Sequence, residues 1–215
     1  VNNRIGEYAQ SKIKKAIDMV KHALSQGVRF DYLLADSWFT CTDIVKFIKS
    51  RHSCCHYLGM VKMAKTKYLF EKKPLSAKEL IKLLASRKAV KYSRSLHCYY
   101  AVADVELAGV RVRLFFCRRT KNADWNALMT TNYKLDFIEA YHIYSMRWSI
   151  EVFFKEGKGL LGLGKSQSRD FAAQIASISV TVLQYNILST VKRFEAYQTI
   201  GGLFKEATYG VIQLS

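Results

Sequence analysis

The sequence predicts an α/β (α+β) fold, and three observations predict it. Short apolar runs at residues 30–35 and 56–63 alternate with amphipathic helical segments, as in a buried sheet flanked by helices. The middle of the chain then changes to alternating runs of strand length. The last third returns to helical spacing and ends in a long apolar stretch.

In chain order, residues 1–26 read as an amphipathic helix, with Ile13, Ile17, Val20 and Leu24 at helical spacing and Gly27 as its stop. Residues 30–35, FDYLLA, form a strand that ends at Asp36. Residues 42–50 form a helix with Thr42 as N-cap and Ile44, Val45, Phe47 and Ile48 on its apolar side. Residues 56–63, HYLGMVKM, give a second short strand. A lysine-rich segment over 62–73 follows, and then Pro74, the single proline. Residues 76–86 form a short helix that Ser76 and Glu79 start with a capping-box pattern. Three β-like runs cover 89–93, 97–107 and 110–118, with Ala108-Gly109 as the turn between the last two. A further run over 125–131 leads into a long helix beginning near Leu135. Glycines interrupt the helical pattern over 160–164, and residues 171–197 form one long apolar helix expected to pack across the core. Residues 1–64 and 126–215 are thus expected to form an α/β core, with 65–125 as a β-rich insertion.

A chain of 215 residues, half of them hydrophobic, can bury a generous core. Its 34 Lys plus Arg against 17 Asp plus Glu give a formal charge of +17. With a pI near 9.7, a polyanionic partner is expected, nucleic acid being the commonest. No apolar run approaches the ~18–20 residues that span a bilayer, and no signal-peptide pattern opens the chain, so an intracellular, membrane-free protein is expected. The odd number of cysteines (Cys41, Cys54, Cys55, Cys98, Cys117) suits a reducing compartment. The cluster His52-Ser53-Cys54-Cys55-His56 lacks the paired spacing of a zinc site, and buried thiols at a strand entry are the better reading.

The segment 141–158, YHIYSMRWSIEVFFKEGK, carries the chemistry. Tyr144, Arg147, Glu151, Lys155 and Lys158 fall at offsets 0, 3, 7, 11 and 14, which on a continuous α-helix puts them on one face. Ile143, Met146, Ile150 and Phe153 fall mainly on the other side. A lone carboxylate on a stripe of cations and a phenol suits metal-assisted chemistry on a phosphate backbone. Asp36, at the carboxyl end of a buried strand, is either a turn residue or a metal ligand that works with Glu151. Arg147 and Lys158 would hold phosphate oxygens, and Tyr144 would donate to the same backbone.

The spacing Tyr144-x2-Arg147-x3-Glu151-x6-Lys158 resembles the signature around the catalytic glutamate of IS4-type DDE transposases. The run LLADSWFT around Asp36 resembles that family's second aspartate block, and RWSIEVFFKEGKGLLGL is close to its usual wording of the glutamate region. The resemblance implies an RNase H-like (retroviral integrase superfamily) core with a β-rich insertion before the glutamate. It implies two Mg²⁺ or Mn²⁺ ions held by Asp36 and Glu151, and cut-and-paste movement of an insertion element. The implied partners are element ends and target DNA, with a homodimer at synapsis, in a prokaryotic cytoplasm near the nucleoid. Trp125, 26 residues before Glu151, is placed like the tryptophan on which some members stack a flipped base; its other reading is a core tryptophan. The family's first aspartate has no counterpart here. Asp18 lies in a predicted helix, Asp31 opens the strand that Asp36 ends, and Asp104 is a substitute only if the order were Asp36, Asp104, Glu151. A fragment lacking the first strands and first acid is therefore expected. Two rival functions remain: a metal-dependent nuclease without strand transfer, and a non-catalytic DNA-binding protein derived from a transposase.

Overall fold

A computed structural model describes residues 11–50, 55–194 and 199–205. The chain divides into two compact units, Val1–Ser145 and Met146–Ser215. Residues 1–10 of the first expected helix, 52–54 of the His-Cys cluster and 195–197 of the last helix lie outside the described residues.

The first unit runs α1 (Lys12–Ser25), β1 (Tyr32–Ala35), α2 (Thr42–Ser50), β2 (His56–Val61), β3 (Lys67–Phe70), β4 (Lys73–Ser76), α3 (Ala77–Ser86), β5 (Lys91–Ser93), β6 (Cys98–Leu107), β7 (Val110–Arg118), β8 (Asn126–Thr130) and α4 (Phe137–Ser145). Its strands form one open mixed sheet in the order β1-β2-β8-β7-β6-β3-β4, with β5 beside β6. β1 and β2 are parallel, Leu34 opposite Leu58, and every other pairing among the described residues is antiparallel. The expected α/β class is what the chain adopts.

Alternation along the strands divides the core in two. Tyr57, Leu114, Phe116, Ala127 and Met129 join Ile44, Val45 and Ile48 of α2 and Leu80, Ile81 and Leu84 of α3 in one cluster. Leu58, Phe115 and Leu128, one residue out of step, join Phe137 and Ala140 of α4 in the other. β2, β7 and β8 are therefore covered on both sides, which explains their near-continuous apolar runs.

Local chemistry sets the boundaries. Ser11 caps α1 by accepting from the Lys14 amide. α2 starts at Thr42, and the Val45 amide donates to the Cys41 carbonyl. The Ser76–Glu79 capping box is complete: the Ser76 amide donates to Glu79 Oε2 at 2.6 Å, and the Glu79 amide donates to Ser76 Oγ at 3.3 Å.

Hairpin β3–β4, inside the lysine-rich segment, is not anticipated by the sequence. Its turn places Glu71 (φ 48) and Lys72 (φ 65) in the left-handed region, as a tight hairpin turn requires, without the usual Asn-Gly signal. Ala108 (φ 47) and Gly109 (φ 86) do the same between β6 and β7, where the turn was expected.

In the second unit, α5 (Trp148–Gly159) and α6 (Phe171–Phe194) precede a short helix over 200–205. The continuous helix expected over 141–158 is not formed: α4 ends at Ser145 and α5 begins at Trp148. Between them the Ser149 and Ile150 amides donate to Met146 and Arg147 three residues back, in place of α-helical bonds. Ser145 Oγ donates to the His142 carbonyl, one of the acceptors a continuing helix would use. The run from Tyr144 to Ile150 is also rich in poor helix formers.

α5 meets α6 through Phe153 on Tyr185, ring centroids 4.8 Å apart, and through Gly157. A β-carbon on Gly157 would lie 3.3 Å from Leu163 and 3.8 Å from Thr181. Burial, and next Glu156, push the Tyr185 phenol up. In α6, Ile175, Ile178, Val180, Leu183 and Ile187 are exposed, and Thr181 is the buried residue of the helix. Its apolar residues surround the helix, and a contact through Thr181 and Tyr185 covers one side only. α6 is also long and apolar enough to cross a membrane by length and composition alone. Interspersed Ser177, Ser179, Gln184 and Asn186 hide this from a search for unbroken apolar runs.

Candidate functional site

Asp36 follows the last residue of β1, where the chain leaves the sheet and turns. Its Oδ1 accepts from the Trp38 amide at 2.8 Å and the Phe39 amide at 3.4 Å, which closes an Asx turn. Its carbonyl accepts from the Phe39 amide and, at 3.0 Å, from Thr40 Oγ1. Oδ2 has no hydrogen bond among the described residues. The carboxylate is thus oriented through one oxygen and open through the other.

A buried phenol fixes this turn from below. Tyr57 Oη lies 2.7 Å from Thr40 Oγ1. Thr40 gives its proton to the Asp36 carbonyl, so Tyr57 is the donor in that contact. Burial pushes the Tyr57 phenol up, and it remains a donor across the working pH range. The ring lies along β2 over Gly59, where any side chain would intrude: a β-carbon there would sit 2.3 Å from Tyr57 Oη. Gly59 is what allows Tyr57 to reach the turn that presents Asp36.

In the second unit, Arg147 precedes α5 and Glu151 lies in its first turn. The guanidinium donates to Glu151 Oε1 at 2.6 Å across the i, i+4 spacing. Glu151 Oε2 has no hydrogen bond among the described residues. Lys155 and Lys158 follow Glu151 by four and seven residues on the same helix face and are exposed. That part of the expected stripe is formed. Tyr144 belongs to α4 instead, where it packs against the second core cluster.

Trp125 is half-buried against the first cluster, and the Arg118 guanidinium lies 4.4 Å from its ring centroid. Asp104 pairs with Arg113 opposite it on β7, Oδ1 to Nε at 2.7 Å and Oδ2 to Nη2 at 3.0 Å. That contact holds its carboxyl below the usual range. With both oxygens committed across the sheet, Asp104 has a structural job. Cys55 is buried at the entry to β2, as the thiol reading expects.

Oxygen donors such as Asp36 Oδ2 and Glu151 Oε2 suit a hard cation. Among the described residues, no three or more His, Cys, Asp or Glu gather into a metal-sized group. Each carboxylate, in its own unit, suits such an ion by the chemistry of its donors.

Three further residues at the Asp36 turn were not singled out from the sequence. Trp38 is 67% exposed. Lys62 Nζ lies 4.7 Å and Lys12 Nζ 5.5 Å from its ring centroid. The available signal was an aromatic two residues after a candidate ligand, in a loop rather than a core run. The two lysines come from distant positions and carry no local signal.

The family model described as the transposase DDE domain matches residues 9–187. No curated protein matches the chain.

Proposed function

The chain belongs to the transposase DDE domain family, and we propose that it supplies part of an IS4-type catalytic domain that cleaves element ends and joins them to target DNA. The observation that carries this reading is the state of the two acids. Asp36 and Glu151 both lie within the matched region, and each is oriented through one oxygen with the other open.

In this reading the fold is RNase H-like, with residues 65–125 inserted between the parts that carry Asp36 and Glu151. Asp36 and Glu151 would hold divalent cations, Mg²⁺ or Mn²⁺, which when bound activate a water or 3′-hydroxyl and stabilise the leaving oxygen. The Asx turn and the Tyr57–Thr40 relay hold Asp36 in place before any ligand arrives. Arg147 fixes Glu151 through its guanidinium. Arg147, Lys155 and Lys158 would bind backbone phosphates, and Tyr144 and Trp125 would complete the DNA contacts. Two acids are one short of the usual three, so this chain by itself is expected not to cleave. DNA-bound action by a dimer in a prokaryotic cytoplasm completes the proposal.

The test is Glu151→Gln in the full-length transposase, given Mg²⁺, a pre-cut end from the DNA flanking its gene, and a plasmid target. Joined product from the parent, and none from the variant at unchanged duplex affinity, supports the reading. Nicking without joining would point to a nuclease, and full activity in the variant would remove Glu151 from the site.

A further inference from the structure

Trp38 is a large apolar ring standing two-thirds in solvent, in a loop whose next residue, Phe39, packs on the core. Exposed tryptophan needs a reason, since burial of that ring is ordinarily favourable. The loop does not leave it adrift: the Trp38 amide is one of the two bonds that orient Asp36. Two ammonium groups from separate elements, Lys12 on α1 and Lys62 just after β2, converge on the ring. An aromatic face between two cations, anchored to a candidate ligand carboxylate, offers a nucleic-acid strand a surface for a base and two contacts for its phosphates.

We propose that Trp38, flanked by Lys12 and Lys62, is a stacking platform for an unpaired base at a DNA strand end, held beside Asp36 by the turn the two residues share. The proposal rests on the transposase reading and names the form of DNA that this end of the sheet takes. A base within duplex DNA has both faces covered by its neighbours, so the ring can stack only on a base that has left the helix. A cation over an exposed ring contributes about 2- to 5-fold in affinity. A stacked base contributes roughly 5- to 150-fold. An arriving base therefore displaces an ammonium at a net gain, and the freed lysine turns to the phosphate beside that base. Trp125 is the poorer platform, because it is half-buried against the first core cluster.

The experiment compares the chain with Trp38→Ala, Trp38→Phe and Trp38→Leu on two labelled probes: a blunt duplex, and the same duplex with a short 3′ overhang. The expected result is a 5- to 150-fold loss for the overhang probe in the Ala variant, a similar loss in the Leu variant, and near-parental binding in the Phe variant. Blunt-duplex affinity should stay within about 2-fold throughout. Leucine keeps apolar bulk without a π-face, and the Phe variant shows that the turn tolerates substitution. Overhang binding that survives in the Ala variant overturns the stacking proposal and leaves the transposase reading standing. So does equal loss on both probes. A parent chain that binds neither probe overturns both.

Discussion

Replacing Gly59 by alanine should loosen the Asp36 turn from the neighbouring strand. The new β-carbon would lie 2.3 Å from Tyr57 Oη, 2.7 Å from Tyr57 Cζ and 2.7 Å from Thr40 Oγ1, where ordinary contacts begin near 3.5 Å. Tyr57 is fully buried, so its ring has no open space to retreat into. Overpacking of this kind costs about 1–3 kcal/mol. Moving the phenol also breaks its bond to Thr40, for about 1 kcal/mol more. Loss of glycine's freedom in the unfolded chain offsets about 0.4–1 kcal/mol. The net expectation is a destabilisation of about 2 kcal/mol. At a urea m-value of about 2 kcal/mol/M, that lowers the unfolding midpoint by about 1 M. Tyr57→Phe alone should cost about 1 kcal/mol. The double variant should be less destabilised than the sum by at least ~0.5 kcal/mol, because part of the clash leaves with the hydroxyl. A midpoint unmoved in Gly59→Ala, or strict additivity in the cycle, would refute the claim that Gly59 exists to admit Tyr57.

Three more outcomes are expected. Lys72→Gly should stabilise the chain by about 0.5–1 kcal/mol, since glycine relieves the left-handed strain at φ 65 with only part of that gain lost to chain entropy; a lowered urea midpoint would count against it. The Lys67 ammonium and the Ser76 amide hold the Glu79 carboxyl down at about 2. A depressed carboxylate stabilises the fold above its unfolded pKa of about 4.5 and loses that contribution as pH falls toward 2. Glu79→Gln should therefore melt below the parent at neutral pH, with the gap closing between about pH 4.5 and 2; a gap constant with pH would be contrary. Lys158→Gln should reduce the steepness of log affinity against log salt on duplex DNA by ~0.9, and an unchanged slope would place that lysine off the phosphate path.

Much of the sheet was legible because its strands carry strong signals. β2, β7 and β8 are buried on both faces and read as apolar runs, and the Ser76–Glu79 box marked α3 to the residue. What escaped was set by competition between local and distant forces. Hairpin β3–β4 turns on Glu71 and Lys72, residue types that give no turn signal, and it is steadied by Arg87, which donates to both oxygens of Glu71. Periodicity carried the helix straight through residues 146 and 147, because a face-counting argument is blind to a side chain taking a backbone acceptor, as Ser145 does. Within the second unit α5 meets α6 at Tyr185 and Thr181, a side that apolar content alone does not single out. At the site, Asp36 offered two readings from sequence. The turn bond is visible in the structure, and the second oxygen keeps the ligand reading open for experiment.

The mixed sheet also sets an order of assembly. β6 and β7 pair over nine residues across a two-residue turn, so their contacts form with almost no loop to close. β2 meets β8 only across 66 to 72 residues, from Val61–Ala127 to Leu58–Thr130, whereas β1 reaches β2 across 24, Tyr32 to His56. The strand that delivers Asp36 is short and paired on one side among the described residues. Its amides should exchange with solvent sooner than those of the β6–β7 ladder, through openings that leave that ladder intact. Asp36 therefore sits at a short edge of the sheet, and conditions that soften the protein will unmake its turn well before they melt the ladder.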